Sequence, residues 1–105
     1  MQRYTVITKL KPDKVARYIE LHNQIWPEVV ELGHRAGLRN YSIHRVDTYL
    51  FSYYEYVGTD YEADMAWKNS HEIVKQWQAA TGECFDWVTE EEKTIIPQEI
   101  FYHEF

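Results

Sequence analysis

Leu38 to Val46 (LRNYSIHRV), the pair Asp47-Thr48, and Tyr49 to Val57 (YLFSYYEYV) read as two strands joined by a two-residue turn. β-Branched and aromatic residues fill both runs, and the polar pair between them supplies the turn. The second run decides the architecture. Tyr49, Phe51 and Tyr53 project from one side and Leu50, Tyr54 and Tyr56 from the other. A sheet with one wet face alternates cleanly between apolar and polar residues, and this strand does not. Its second face is therefore expected to meet another copy of the chain, giving a homodimer packed sheet against sheet. A charge placed at Tyr54 or Tyr56 is expected to break that dimer before it unfolds the sheet.

Working towards the N-terminus, residues 3 to 10 put Tyr4, Val6, Thr8 and Leu10 on one side and Arg3, Thr5 and Lys9 on the other, broken only by Ile7. This is a first strand. Pro12 and Asp13 then open a segment in which Val15, Tyr18, Ile19, His22, Ile25 and Trp26 recur at spacings of three and four, the period of an amphipathic helix. Pro27 predicts a break near residues 23 to 26, followed by a second helical piece ending at Gly37.

Towards the C-terminus, Thr59 with Glu62 three residues on is a capping-box pattern. It opens a helix to about residue 69. Ser70 is expected to cap a further helix through Ile73, Val74 and Trp77, stopped by Gly82. Cys84 to Pro97 has no clear period and reads as a loop or ordered excursion, with Glu90, Glu91 and Glu92 as a solvated face. Gln98 to Phe105 is expected to close the chain as a strand, and Phe101, Tyr102 and Phe105 to reach the partner subunit. The order strand, helix, strand, strand, helix, strand predicts a ferredoxin-like α+β fold, a four-stranded antiparallel sheet with helices on one face.

A chain of 105 residues, 45% of them hydrophobic, forms a single domain over residues 1–105, with no room for a second core. Four Trp, nine Tyr and four Phe exceed what a minimal core needs, and surplus rings serve interfaces or flat apolar ligands. The net charge of -6 without a Lys/Arg cluster sets nucleic acid aside as a partner. No apolar run reaches the roughly 20 residues of a membrane span, and the N-terminus reads as a strand, so neither membrane nor export is expected. The lone Cys84 closes no intrachain disulfide and fits a reducing, cytoplasmic setting. An ordinary half-buried thiol is its expected role.

Chemistry-bearing residues gather on the first helix. Tyr18 and His22 are four apart and emerge together, and Trp26 follows one turn later if the helix persists. An aromatic stripe at helical spacing is ordinarily core, and a lone His ordinarily a satisfied polar group. Spacing alone does not choose between these roles and a catalytic one. No phosphate-cradling glycine motif is present, and the five His lack paired metal-ligand spacing, so no metal and no cofactor are expected.

The segment Tyr18-Ile-Glu-Leu-His22-Asn23-Gln-Ile25-Trp26-Pro27-Glu28 is similar to the Y-x-x-x-H-x-x-I-W-P-E signature of the L-rhamnose mutarotases. Asn40-Tyr41-Ser42-Ile43 resembles that family's second-strand N/D-Y-x-I, and Gln98-Glu99-Ile100-Phe101-Tyr102 its closing strand. The resemblance runs over essentially the whole chain. It implies a dimeric α/β barrel that interconverts the α and β anomers of a 6-deoxy-sugar, with L-rhamnose favoured and L-fucose the near alternative. It further implies His22 as the proton donor, with Tyr18, Tyr41 and Trp77 binding the sugar. Gln76 stands where the family has the first ring of a Trp pair, so it is the position expected to alter sugar preference.

That chemistry suits the residues. Mutarotation moves one proton off the anomeric hydroxyl and another onto the ring oxygen, and needs neither nucleophile, metal nor redox cofactor. Two other readings use the same architecture: a cofactor-free oxygenase, which would consume oxygen, and a non-catalytic sugar-binding module, which would bind without anomer exchange. Fold does not separate them. The helix motif favours mutarotation.

Overall fold

Period-two alternation produces three strands in the computed structural model, which describes residues 1–86 and 95–105. β1 spans Gln2–Lys9, β2 Leu38–Val46 and β3 Tyr49–Tyr56. They form an antiparallel sheet in the order β1-β3-β2, with Tyr4 opposite Tyr54, Thr8 opposite Leu50, and Val46 opposite Tyr49 next to the turn. Asp47, at φ +56, takes the left-handed conformation that short polar residues tolerate. The hairpin register therefore follows from the two-residue turn expected at Asp47-Thr48.

Pro12–Lys14 form a 3₁₀ turn that leads into α1, Val15–Asn23. The chain breaks at residues 24–26 and restarts with Pro27 in the first turn of α2, Pro27–Arg35, where its missing N–H costs nothing. Gly37, at φ +103, lets the chain leave α2, and a side chain there would press on the Tyr56 ring, 3.0 Å away. Two further helices, α3 (Tyr61–Asn69) and α4 (Glu72–Gly82), follow the hairpin. Helices cover one face of the sheet. Leu10, Tyr18, Leu21, Leu50, Trp77 and Cys84 make one buried cluster, with Trp26, Ile43 and Phe85 packed against it. Fully burying a Leu such as Leu50 contributes about 1.5–3 kcal/mol, so the α1–α4 side of the sheet carries the core. This is the ferredoxin-like α+β class expected, with the helices on one face.

Four expectations change. Tyr56 is 1% exposed and Leu50 is buried beneath the helices, and Tyr54 stacks between other rings on that same side. The face left open is that of Tyr49, Phe51 and Tyr53, so Tyr54 and Tyr56 are covered within one chain and are not the face left for a second copy. Both apolar sides of β3 were visible, but only helix packing tells which is covered within one chain.

The Gln98–Phe105 segment forms no strand. Pairing beside β1 comes instead from an Leu10–Phe85 bridge, from the Asp86 N–H donating to the Lys9 carbonyl at 2.8 Å, and from an Ile7–Ile95 bridge. Pro97 follows with a fixed φ and no N–H to give a ladder. From there the segment is anchored by side chains: Arg3 Nε meets Glu99 Oε1 at 2.9 Å, and the Arg3 guanidinium lies 3.4 Å over the Tyr102 ring. The sheet is thus three-stranded among the described residues, with the fourth position beside β1 occupied in fragments. Glu90, Glu91 and Glu92 lie outside the described residues.

The caps move as well. Asp60 caps α3 by accepting from the Ala63 N–H at 3.1 Å, one residue beyond Thr59, because a carboxylate outcompetes a hydroxyl at a helix N-terminus. Ser70 instead donates to the Trp67 carbonyl at 2.6 Å and closes α3, leaving His71 as the N-cap of α4. Among the described residues no helix is long and apolar enough to cross a membrane.

Candidate active site

Helical periodicity in α1 places Tyr18 and His22 on its sheet-facing side, one turn apart, with ring centroids 4.2 Å from each other. Trp77, from α4, makes T-shaped contacts with the His22 ring, centroids 5.2 Å apart at 70°, and with the Trp26 ring, 5.3 Å apart at 70°. Phe85 stands edge-on to Tyr18 at 5.5 Å. The half-buried imidazole therefore meets rings from α1 and α4, which Phe85 and Trp26 back in turn.

Hydrogen bonding fixes its tautomer. His22 Nδ1 lies 2.9 Å from the Tyr18 carbonyl oxygen, which only accepts, so Nδ1 carries a proton and donates. Nε2 is then the nitrogen left for chemistry, since no hydrogen bond to it occurs among the described residues. A neutral imidazole so held takes a proton at Nε2, and an imidazolium gives one.

The phenols around it stay protonated. Burial pushes the Tyr18 hydroxyl well above the ordinary phenol range, with Tyr41 and Cys84 adding to the shift. Tyr41, on β2, is raised by desolvation and by Tyr61, and drawn back partly by its hydrogen bond with Ser52. Tyr41 is 55% exposed, yet its ring lies flat on Tyr54, with centroids 5.0 Å apart and planes 13° apart. The exposed surface is thus on the side away from the stack, while the hydroxyl sits beside Ser52. Neutral phenols donate and accept hydrogen bonds; neither Tyr18 nor Tyr41 is set up as a phenolate base.

Tyr18, His22 and Trp77 come together, and Tyr41 stands close enough for its hydroxyl to be felt at Tyr18. Gln76 does not join them: it is exposed on α4 while its neighbour Trp77 turns inward. Cys84 is fully buried and its thiol is pushed up by desolvation, which is the inert state of a cysteine.

The rings that sequence reasoning did not single out form a ladder across the sheet. Tyr4 stacks on Tyr54 at 5.2 Å and on Tyr61 at 4.6 Å, and the Tyr54 and Tyr61 hydroxyls are 2.6 Å apart. The signal was the cross-strand register, which puts Tyr4 opposite Tyr54. An open cleft of about 340 Å³ lined by Met1, Gln2, Arg3, Tyr4 and Glu99 contains none of the imidazole's neighbours, and its Arg3–Glu99 ion pair is already satisfied. The ring cluster, not this cleft, holds the imidazole. Among the described residues no three His, Cys, Asp or Glu side chains gather as metal ligands.

Comparison with known proteins bears on this geometry. The family model described as L-rhamnose mutarotase matches residues 3–103. An L-rhamnose mutarotase of Jannaschia sp. (strain CCS1) is 27% identical over 103 residues, covering 98% of each chain. The crystal structure of an L-rhamnose mutarotase from Formosa agariphila superposes with a TM-score of 0.78 at 29% identity, over 99% of this chain and 100% of that one. A putative antibiotic biosynthesis monooxygenase from Nitrosomonas europaea shares the fold, with a TM-score of 0.62 at 16% identity over 96% of this chain and 100% of that one.

Proposed function

The chain belongs to the L-rhamnose mutarotase family, and from that premise we propose that it interconverts the α and β anomers of L-rhamnose with His22 as its acid/base group. It is an isomerase acting on carbohydrates. The observation that carries the residue assignment is the Nδ1–H bond to the Tyr18 carbonyl, which orients the ring and leaves Nε2 free inside an aromatic wall.

The steps balance in protons. As imidazolium, His22 donates from Nε2 to the ring oxygen while the anomeric hydroxyl gives up its proton to solvent water, which returns it on closure, and the C1–O5 bond breaks to the open aldehyde. Rotation about C1–C2 presents the other carbonyl face. Closure returns the proton to His22 and reprotonates the new anomeric oxygen. A positioned acid/base contributes about 10²–10⁴-fold, adequate for a reaction that already proceeds in water. Tyr18 and Tyr41, kept as neutral phenols, orient sugar hydroxyls, and Trp77 backs the imidazole and offers apolar surface to C–H bonds and the 6-methyl group. Gln76 stands beside Trp77 in sequence but is exposed on α4, outside the ring cluster, at the position where the family resemblance implies a second ring. It is the position to examine for L-fucose acceptance.

A homodimer is part of this reading. The open face presents Tyr49, Phe51 and Val46, and the terminal segment exposes Ile96, Ile100 and Phe101, large apolar side chains that a second copy would cover. A cytoplasmic setting fits the single buried thiol.

Saturation-transfer NMR on L-rhamnose anomers with catalytic protein tests the function. Exchange well above the spontaneous rate is expected. Binding without exchange favours a sugar-binding module, oxygen uptake with an aromatic substrate favours the oxygenase reading, and silence with both L-rhamnose and L-fucose refutes the substrate class.

A further inference from the structure

β2 holds one residue more than its partner. Arg39 pairs with Glu55 and Ser42 with Tyr53, so Asn40 and Tyr41 together face the single Tyr54. Side chains of a strand alternate, so residues on one face should be an even number apart. Leu38 packs towards α2, 3.7 Å from where a side chain at Gly33 would begin, while Tyr41 stacks on Tyr54 and Ile43 joins the core. Those three share the helix-facing side although Leu38 and Tyr41 are three apart. Only the extra residue reconciles them, since a slip of one would turn Tyr41 and Ile43 to the opposite face.

The extra residue is held on purpose-built terms. Asn40 sits at φ +50, a conformation Asn tolerates and β-branched residues do not. Its Nδ2 donates to Glu55 Oε1 at 2.6 Å across the strand pair. Glu55 Oε2 accepts from the Tyr53 hydroxyl at 2.7 Å, and these two bonds, Tyr53's the larger, hold the Glu55 carboxyl below its usual range. Resting on the reading of Tyr41 as a sugar contact, the geometry points to Asn40 and Glu55 as positioning residues, a clamp on the open face that fixes the bulge and thereby aims Tyr41 into the site on the opposite face.

The test uses Asn40→Gly, Asn40→Asp, Asn40→Val and Glu55→Gln, each alone and on a Tyr41→Phe background. Anomer exchange is read by NMR, and the ring-current-shifted Tyr41 resonances report its stacking on Tyr54. Glu55→Gln keeps the acceptor and should retain stacking and exchange within a few-fold, whereas Asn40→Gly keeps the left-handed backbone but loses the bond to Glu55, so it should loosen the stack and lower exchange, though by less than Asn40→Asp. Asn40→Asp sets two carboxylates against each other and should loosen the stack and lower exchange roughly ten-fold. Asn40→Val should do more, and if it fails to fold, Asn40→Asp carries the comparison. On the Tyr41→Phe background the Asn40→Asp loss should shrink to within two-fold, because the hydroxyl it misplaces is gone. Equal losses in both backgrounds would reduce the clamp to fold maintenance and overturn the proposal, as would unchanged Tyr41 resonances in Asn40→Asp. Wild-type exchange by Tyr41→Phe with a displaced ring in Asn40→Asp refutes the sugar-contact role of Tyr41 alone and leaves the clamp supported.

Discussion

Replacing His22 by alanine separates catalysis from architecture, because the structure sets different magnitudes for the two. The substitution removes one hydrogen bond, Nδ1 to the Tyr18 carbonyl at 2.9 Å, with a net worth of about 0.5–1.5 kcal/mol. It also removes the edge contact with Trp77, worth about 0.5–1.5 kcal/mol. Alanine returns about 0.5 kcal/mol through its higher helix propensity. The net destabilisation is then roughly 0.5–2.5 kcal/mol, a minor part of the 5–15 kcal/mol typical of a domain. At about 4–8 °C per kcal/mol for a domain near this size, Tm should fall by about 2–20 °C and the protein stay folded at 25 °C. Loss of a positioned acid/base raises the barrier by about 3–5.5 kcal/mol, or 10²–10⁴-fold in rate. His22→Gln offers an amide of similar reach without a titrating group and should fail as badly in catalysis while melting closer to wild type. Thermal unfolding by circular dichroism and anomer exchange by NMR are the two measurements. A folded His22→Ala protein that exchanges anomers within a few-fold of wild type would refute the assignment.

Alkaline titration should reveal the buried phenols: burial raises Tyr18 and Tyr54 above the ordinary value near 10, so their stabilisation is complete below that value and is lost as pH rises through it towards the raised folded values. Phenolate absorbance should show part of the nine tyrosines ionising only as the fold is lost, and all nine titrating near 10 in folded protein would contradict the burial. Gly58→Ala should cost at least about 1–3 kcal/mol, since the added carbon would overlap the Tyr56 hydroxyl and stand 2.6 Å from Tyr56 Cζ and 2.7 Å from Asp64 Oδ2; a melting point equal to wild type would mean the Tyr56–Asp64 contact shifts freely. Phe51→Glu on the open face should give a folded monomer by sedimentation, whereas the same change at Tyr56 should unfold the chain, and a Phe51→Glu dimer would place the interface elsewhere. Gln76→Trp should move the ratio of L-rhamnose to L-fucose exchange towards L-rhamnose, and an unchanged ratio would show that position 76 does not touch the sugar.

What the sequence disclosed, and what it withheld, divides along the range of the interactions. The α1 stripe, the Pro27 restart, the Gly37 exit and the Asp47-Thr48 turn are local, each decided by sterics within a few residues, and each stands where expected. The Tyr18–His22 pair is local too, being one helical turn. Trp77 required α4 to fold back beside α1, which residue spacing cannot give and the family motif did. The bulge at Asn40 escaped because Leu38 to Val46 alternates acceptably in either register; its only signs are an Asn at a position demanding positive φ and a Glu on the facing strand, and these mean something only once β3 is laid alongside. The closing strand failed for a related reason. Its alternation is real, but a strand needs an edge to pair with, and beside β1 that edge is met by Phe85, Asp86 and Ile95. Side chains such as Ile100 and Phe101, outward-facing in a single chain, then acquire a physical reason only if a second copy covers them, which ties the unpaired terminus to the same open face that Phe51→Glu probes.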